Sequence, residues 1–179
     1  MTDLNLDWIQ FRQYLERDEL QLKRLVFNSN VLEKKNFPVP RETREREWQT
    51  LDKLMWELRE GRHGCVVAHS KNRLAGFSMF HLYNNQADDY RKEGVFELLQ
   101  FYIKPKYRGH GLGTGIVKES LDKMKQVKEI KIRPSYRVIS EIADDNEASK
   151  RIHTNLRFKP LAPKPGSERP GYWVYGRRI

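Results

Sequence analysis

Residues 100–125 read Gln-Phe-Tyr-Ile-Lys-Pro-Lys-Tyr-Arg-Gly-His-Gly-Leu-Gly-Thr-Gly-Ile-Val-Lys-Glu-Ser-Leu-Asp-Lys-Met-Lys. The apolar run from Val95 to Ile103 predicts a strand, and Pro105 ends it. Gly109, Gly111 and Gly113 then recur at every second position. Behind them Ile116, Val117, Leu121 and Met124 fall at helical spacing, with Lys118, Glu119, Asp122, Lys123 and Lys125 on the other side. Glycines at a helix start leave backbone N–H groups uncovered, and the helix dipole adds partial positive charge there. This strand–turn–helix unit is therefore an anion site suited to a phosphate or pyrophosphate. Arg108, at the front of the turn, can add a bidentate contact.

The spacing excludes the two commonest phosphate loops. A dinucleotide fold wants Gly-x-Gly-x-x-Gly, but Thr114 or Ile116 stands at the sixth position here. A P-loop needs Gly-Lys followed by Ser or Thr, and no Gly-Lys pair occurs in this stretch. What remains is Arg-x-x-Gly-x-Gly, Arg108 to Gly113, followed by Thr114. That pattern resembles the acetyl-coenzyme-A motif of the GNAT superfamily of N-acetyltransferases. A second stretch, Asn146 to Phe158, resembles that family's other signature, Asn-x-x-(Ala/Ser)-x-x-(Leu/Ile)-Tyr-x-x-x-Gly-Phe. Asn146, Ser149, Ile152 and Phe158 match it, while His153 replaces the usual Tyr and Arg157 the usual Gly.

The resemblance implies a fold: α/β (α+β), a single GNAT domain over residues 1–179. Its mixed, mostly antiparallel sheet would have six or seven strands and be flanked by about four helices. It also implies a coenzyme site. Backbone at Phe101, Tyr102 and Ile103 would pair with the pantetheine arm. Arg108, Gly109, His110, Gly111, Leu112, Gly113 and Thr114 would hold the pyrophosphate, His110 through its N–H rather than its ring. Asn146 and Ser149 would complete the coenzyme side. Glu97, on the motif strand, is the expected general base, since some family members carry a glutamate there. Its plainer alternative is a carboxylate paired with a neighbouring cation. His153, at the Tyr position, is the expected general acid toward the leaving thiolate, because a histidine of reference pKa about 6.5 carries a transferable proton near neutrality. Along the strand Glu97, Leu99, Phe101 and Ile103 share one face if no bulge intervenes, and the family does carry a bulge there.

Length and composition agree with this. A chain of 179 residues is one domain by default, and 32% charged with 38% hydrophobic residues suits a soluble protein. No apolar run approaches the roughly 20 residues of a membrane span. The N-terminus, Met-Thr-Asp-Leu-Asn-Leu-Asp, shows no secretion signal. Cys65 is the only cysteine, so it forms no internal disulfide, which fits a cytoplasmic protein; it reads as a small buried apolar residue. His63, His69 and His81 have no metal-ligand spacing with one another or with Cys65, so no metal is expected. The net charge of +10 comes from scattered cations beside acids, with no nucleic-acid-binding signature, and a polyanionic cofactor explains part of it.

The other elements follow in order. Trp8 to Tyr14 suits a first strand, and Asp18 a cap for a helix from Glu19 to Phe27 with Leu22, Leu25 and Val26 inward. Arg41 to Glu60 predicts a long helix buried along Trp48, Leu51, Leu54, Met55 and Leu58 and ended by Gly61. Gly64–His69 and Leu74–Tyr83 predict a hairpin, Tyr136–Ile142 a fifth strand and Gly171–Ile179 a closing strand. Pro160, Pro163, Pro165 and Pro170 predict a stiff loop between. These readings leave the acceptor open: a small-molecule or peptide amine, acetylated by direct attack. An inactive acyl-CoA-binding or partner-binding module is the alternative, and other acyl donors are not separated from acetyl. A homodimer across the exposed C-terminal strand is a further expectation.

Overall fold

The computed structural model describes residues 9–27, 41–70, 73–83, 95–126, 137–163 and 172–179. Four helices and seven strands run in the order β1 (Ile9–Gln13), α1 (Glu19–Phe27), α2 (Arg41–Arg59), β2 (His63–Ser70), β3 (Arg73–Tyr83), β4 (Val95–Ile103), α3 (Leu112–Gln126), β5 (Arg137–Ala143), α4 (Glu147–Asn155), β6 (Lys159–Pro163) and β7 (Tyr172–Arg178), among the described residues. All seven strands join one sheet, ordered β1-β2-β3-β4-β5-β7-β6. Only β4 and β5 pair in parallel.

Two apolar clusters hold the layers together. On one face Leu22, Leu25 and Val26 of α1 and Leu51, Met55 and Leu58 of α2 cover Cys65, Val67, Phe77, Met79 and Tyr102. On the other, Ile116, Val117, Leu121 and Met124 of α3 pack on Val66, Phe80, Phe96, Leu98 and Val138, with Leu156 and Phe158 at the end of α4. The helical stripes read from the sequence are thus buried. Cys65 is buried too, and that burial pushes its thiol pKa up. The side chain of Trp48 lies outside the described residues, as do the segments 28–40, 84–94, 127–136 and 164–171.

The C-terminal end of α2 is set by local chemistry. Gly61 takes φ +71°, where a side chain is disfavoured. Its N–H donates to Leu58 O at 3.2 Å and that of Arg62 to Glu57 O at 2.9 Å, satisfying the last carbonyls.

Three expectations are corrected. The closing strand β7 is not an exposed edge, because it lies between β5 and β6 and both of its sides are paired. Asp18 does not cap α1. It ends a short 3-10 turn and is buried, where it accepts both Arg12 amino groups, at 2.6 and 2.7 Å, and the Leu15 N–H at 3.0 Å. A buried carboxylate satisfies its charge first, and the guanidinium six residues back outcompetes a helix end. Residues 159–163, expected within a proline loop, form β6 at the sheet edge, paired with β7. Prolines are compatible with an edge strand because half of its N–H groups need no ladder partner.

Candidate active site

The site begins where β4 and β5 part. Their pairing covers only Val95, Glu97 and the residue between, against Arg137 to Ile139. Both strands continue beyond that point, β4 to Ile103 and β5 to Ala143, without further pairing between them. Ser140 Oγ donates to Leu98 O at 3.4 Å, just above the fork. Parallel strands that separate at their carboxyl ends leave a cleft with one backbone edge on each wall, which is where ligands of such sheets sit.

A β-bulge lies at the fork. Met79 pairs with Gln100 and Phe80 with Leu98, so Leu99 is the extra residue of β4. It is 38% exposed, whereas Phe96, Glu97 and Leu98 before it are buried. The bulge reverses the alternation, so Glu97 does not share a face with Phe101 and Ile103. Glu97 projects with His81, Met79 and Tyr102 on the face of α1 and α2. Phe101 and Ile103 project toward α3 and α4.

Above the fork stands the glycine turn. Gly109 and Gly111 adopt φ +82° and +79°, and a Cβ built on either meets no atom within 4 Å. These positions therefore require glycine for backbone conformation and leave open space beside it. The first backbone bond of α3 runs from Gly115 N–H to Gly111 O at 3.0 Å, so the N–H groups of Leu112, Gly113 and Thr114 lie ahead of the helical ladder. Gly113 serves packing instead, since a Cβ there would lie 2.7 Å from Ile152 Cδ1 of α4 and 3.9 Å from Phe101. Arg108 turns back. Its Nε–H donates to Ile103 O at 2.8 Å and its guanidinium lies 5.3 Å over the Tyr102 ring, tying the turn to the end of β4. His110 is exposed. Tyr102 is buried on the α1/α2 face.

Asn146 and Ser149 support α4. Asn146 is its N-cap, with Oδ1 accepting the Ser149 N–H at 3.1 Å. Ser149 is buried, with Oγ 3.4 Å from His153 Nδ1. His153 is fully buried, ringed by Phe101, Phe158 and Tyr175 at centroid distances of 5.9, 4.8 and 6.3 Å. Its Nδ1 lies 2.8 Å from Ser149 O, an atom that only accepts, so the ring proton sits on Nδ1 and Nε2 carries a lone pair. Burial lowers the His153 pKa, against a smaller raising effect of the Ser149 carbonyl. Nε2 is buried and has no hydrogen-bond partner among the described residues. Arg157, where the second signature usually has Gly, takes φ +63° at the end of α4, which explains the family's preference.

The structure thus gathers the turn, Phe101 and His153 on the α3/α4 side, and sets Glu97 across the sheet at the apex of the fork. No sequence pattern marks what stands beside Glu97: His81 Nε2 lies 3.9 Å from Glu97 Oε2. Only the strand register could have found it. No group of three or more His, Cys, Asp or Glu side chains is placed to hold a metal ion, and no helix is long and apolar enough to cross a membrane, among the described residues.

A model of the acetyltransferase (GNAT) family matches residues 28–158, and the chain belongs to that family. Solved structures agree in fold. The PaiA N-acetyltransferase of Thermoplasma acidophilum, in complex with coenzyme A, is 16% identical with a TM-score of 0.67, over 96% of this chain and 99% of that one. The yncA protein of Salmonella typhimurium, solved with its cofactor acetyl-CoA, is 17% identical with a TM-score of 0.67, over 96% and 94%. A ribosomal-protein-alanine N-acetyltransferase of Brucella melitensis is 17% identical with a TM-score of 0.65, over 95% and 99%. No curated protein matches the sequence.

Proposed function

We propose that this chain is an N-acetyltransferase that moves the acetyl group of acetyl-CoA to a primary amine. One observation carries the reading: the glycine turn opens its free N–H groups above a fork in the sheet whose β4 wall is bulged at Leu99. The pyrophosphate would rest on the N–H groups from Gly109 to Thr114, and the pantetheine arm would add along the β4 edge at Phe101 to Ile103, as an extra strand does. An N–H of the bulged segment would polarise the thioester carbonyl, an effect worth about 3 kcal/mol per donor. The coenzyme-bound neighbours PaiA and yncA support the choice of ligand.

Glu97 is the base for the incoming amine, reached from the α1/α2 face, while the acyl carbon is presented from the cleft. His153 enters as a neutral imidazole. As the tetrahedral intermediate collapses, Nε2 takes the second N–H proton of the newly bonded nitrogen and, as imidazolium, gives it to the departing thiolate while the C–S bond breaks. The buried single cysteine supports a reducing, cytoplasmic setting.

The experiment is a panel of primary amines, from small diamines to peptide N-termini, followed by release of free coenzyme thiol. Turnover of at least one class is expected. In the Glu97→Gln variant turnover should fall by about a hundredfold, with acetyl-CoA affinity kept; unchanged turnover removes Glu97 from the reaction. The buried, low-pKa His153 favours one second reading, a coenzyme-binding module without catalysis. Acetyl-CoA binding with no amine acetylated would select it.

A further inference from the structure

Among the described residues Arg157 is the only non-glycine with a positive φ, at +63°. It closes α4 as the left-handed residue of a Schellman motif. The Phe158 N–H donates to His153 O and the Arg157 N–H to Thr154 O, both at 2.9 Å. A Cβ is strained in that conformation, and glycine would relieve it. The position is nevertheless an arginine, and it is exposed. A cation at a helix end ordinarily meets bare carbonyls, but here these are taken. Ile152 O, His153 O and Thr154 O accept backbone N–H groups, and Leu156 O accepts from Arg177 Nη1 at 2.6 Å. The Arg157 charge therefore has no task within its own helix.

Arg157 stands at a hollow of about 230 Å³ between the later turns of α3 and the end of α4. Lys118, Asp122 and Lys125 of α3 line it, with Arg157 and with Arg177 of β7. That is four cations to one carboxylate. Lys125 Nζ lies 3.3 Å from Asp122 Oδ1, so this pair neutralises itself. Lys118, Arg157 and Arg177 remain. Neither the Lys118 nor the Arg157 side chain has a hydrogen bond or ion pair among the described residues. Arg177 is half-buried and spends one amino group on Leu156 O, which leaves other N–H donors of its fork. Three like charges around one hollow repel one another, and an anion between them turns that repulsion into attraction.

We infer that this hollow is a second anion site, held by Lys118, Arg157 and Arg177, for a compact and multiply charged anion of the phosphate or pyrophosphate class. Two guanidinium forks match the planar spread of phosphate oxygens, and Lys118 adds a point charge. The volume of about 230 Å³ lies below the roughly 300 Å³ at which sites for whole small molecules begin. It suits a phosphate group rather than a nucleoside or a coenzyme. The site is separate from the glycine turn. Helix α3 starts beside that turn at Leu112, and Lys118 stands six residues on, about 9 Å further along the axis. Arg157 closes α4, whose first turn is the one beside the fork. The hollow therefore lies toward the far end of both helices, and the inference does not depend on the acetyl-transfer reading.

A net charge of +10 also raises the question of nucleic acid. A duplex backbone is met by cations spread along a face, each on its own phosphate. Here the three surplus cations come from three separate elements and line one hollow. That arrangement favours a compact anion.

The test titrates inorganic pyrophosphate into the full chain by calorimetry, at moderate salt and with acetyl-CoA saturating, so that the glycine turn is already filled. One pyrophosphate binds per chain. Arg157→Gly weakens that binding about tenfold. The same substitution raises the melting midpoint by about 2 °C, because glycine relieves the strained φ. Lys118→Ala weakens binding about fivefold and leaves the midpoint in place. Opposite signs for affinity and stability at Arg157 separate a ligand contact from a structural role. Absence of pyrophosphate binding, or binding that both variants keep, overturns the site. Short duplex DNA that binds more tightly than pyrophosphate, and is weakened by the same substitutions, overturns it too and makes the hollow part of a nucleic-acid surface. A chain that takes up no acetyl-CoA overturns the proposed function alone. The pyrophosphate titration is then read on the Gly111→Glu variant, in which an acidic side chain closes the turn to anions.

Discussion

Helices α3 and α4 both start beside the fork in the sheet, and their first turns could hardly differ more. At α4 the Asn146 side chain accepts the Ser149 N–H, and Glu147 adds negative charge at the positive end of the dipole. Lys150 balances that charge through Glu147, at 2.9 Å, and Asp144, at 3.2 Å. At α3 the first turn holds no acidic residue. Gly109 and Gly111 stand in its place, with open space around both. The physics of a helix start is the same in each. One end is satisfied by the chain itself, and the other keeps its N–H groups for a ligand. The comparison favours α3 over α4 as the place for the proposed anion site.

The difference can be broken from either side. Gly111→Glu supplies at α3 the acidic side chain that α4 already has, and forces a non-glycine residue to φ +79°. Acetyl-CoA affinity should drop by a hundredfold or more, about 3 kcal/mol, by calorimetric titration. Affinity within a few-fold of wild type would mean that the pyrophosphate lies elsewhere. Asn146→Ala strips the cap from α4 and gives the smaller, opposite pattern. Stability should fall by about 1 kcal/mol in urea unfolding, while coenzyme affinity changes by less than about threefold. An affinity loss that exceeds the stability loss would give Asn146 a direct hand in the ligand, as the family signature suggests.

The same contrast marks what the sequence could and could not disclose. Local patterns were legible. The periodicity of Ile116, Val117, Leu121 and Met124 gave α3, and the run from Val95 to Ile103 gave β4 with both of its ends. So were the two signatures, because each is a short stretch whose physics is complete within itself. Features that depend on partners distant in the chain were not. Asp18 looked like a helix cap until Arg12 was seen to occupy it. β6 carries two prolines and becomes a strand only because β7 offers an edge. His63 and His81 had no spacing to unite them, and stand beside Glu97 through register across three strands. The face of Glu97 itself turned on one bulged residue, Leu99.

The smallest effect concerns the core of α4. His153 is an ionisable group in an aromatic cage, and burial holds its folded-state pKa below the ordinary 6.5. Between those two values the unfolded chain binds a proton that the native one refuses, so acidification favours unfolding. Its contribution is therefore fully present above about pH 6.5 and declines as the pH falls through the folded-state value. Asp18 behaves in the same direction in a separate window. Burial alone would raise its pKa, but Arg12 and the Leu15 N–H together hold it below the ordinary 3.8, so its share is lost only in stronger acid. His153→Leu removes the titrating ring and the buried Nε2 lone pair at once. At pH 8 stability should fall by about 1 kcal/mol, since the Nδ1–H bond to Ser149 O is lost while the apolar side chain removes the unpartnered Nε2. Between pH 7 and 5, by contrast, the variant's stability curve should be flatter than the wild type's, with the acid transition governed by Asp18 left in place. A wild-type curve already flat over that range would mean that His153 binds its proton as readily in the native cage as in the unfolded chain. Its part as a neutral imidazole at the thiolate would then fall as well.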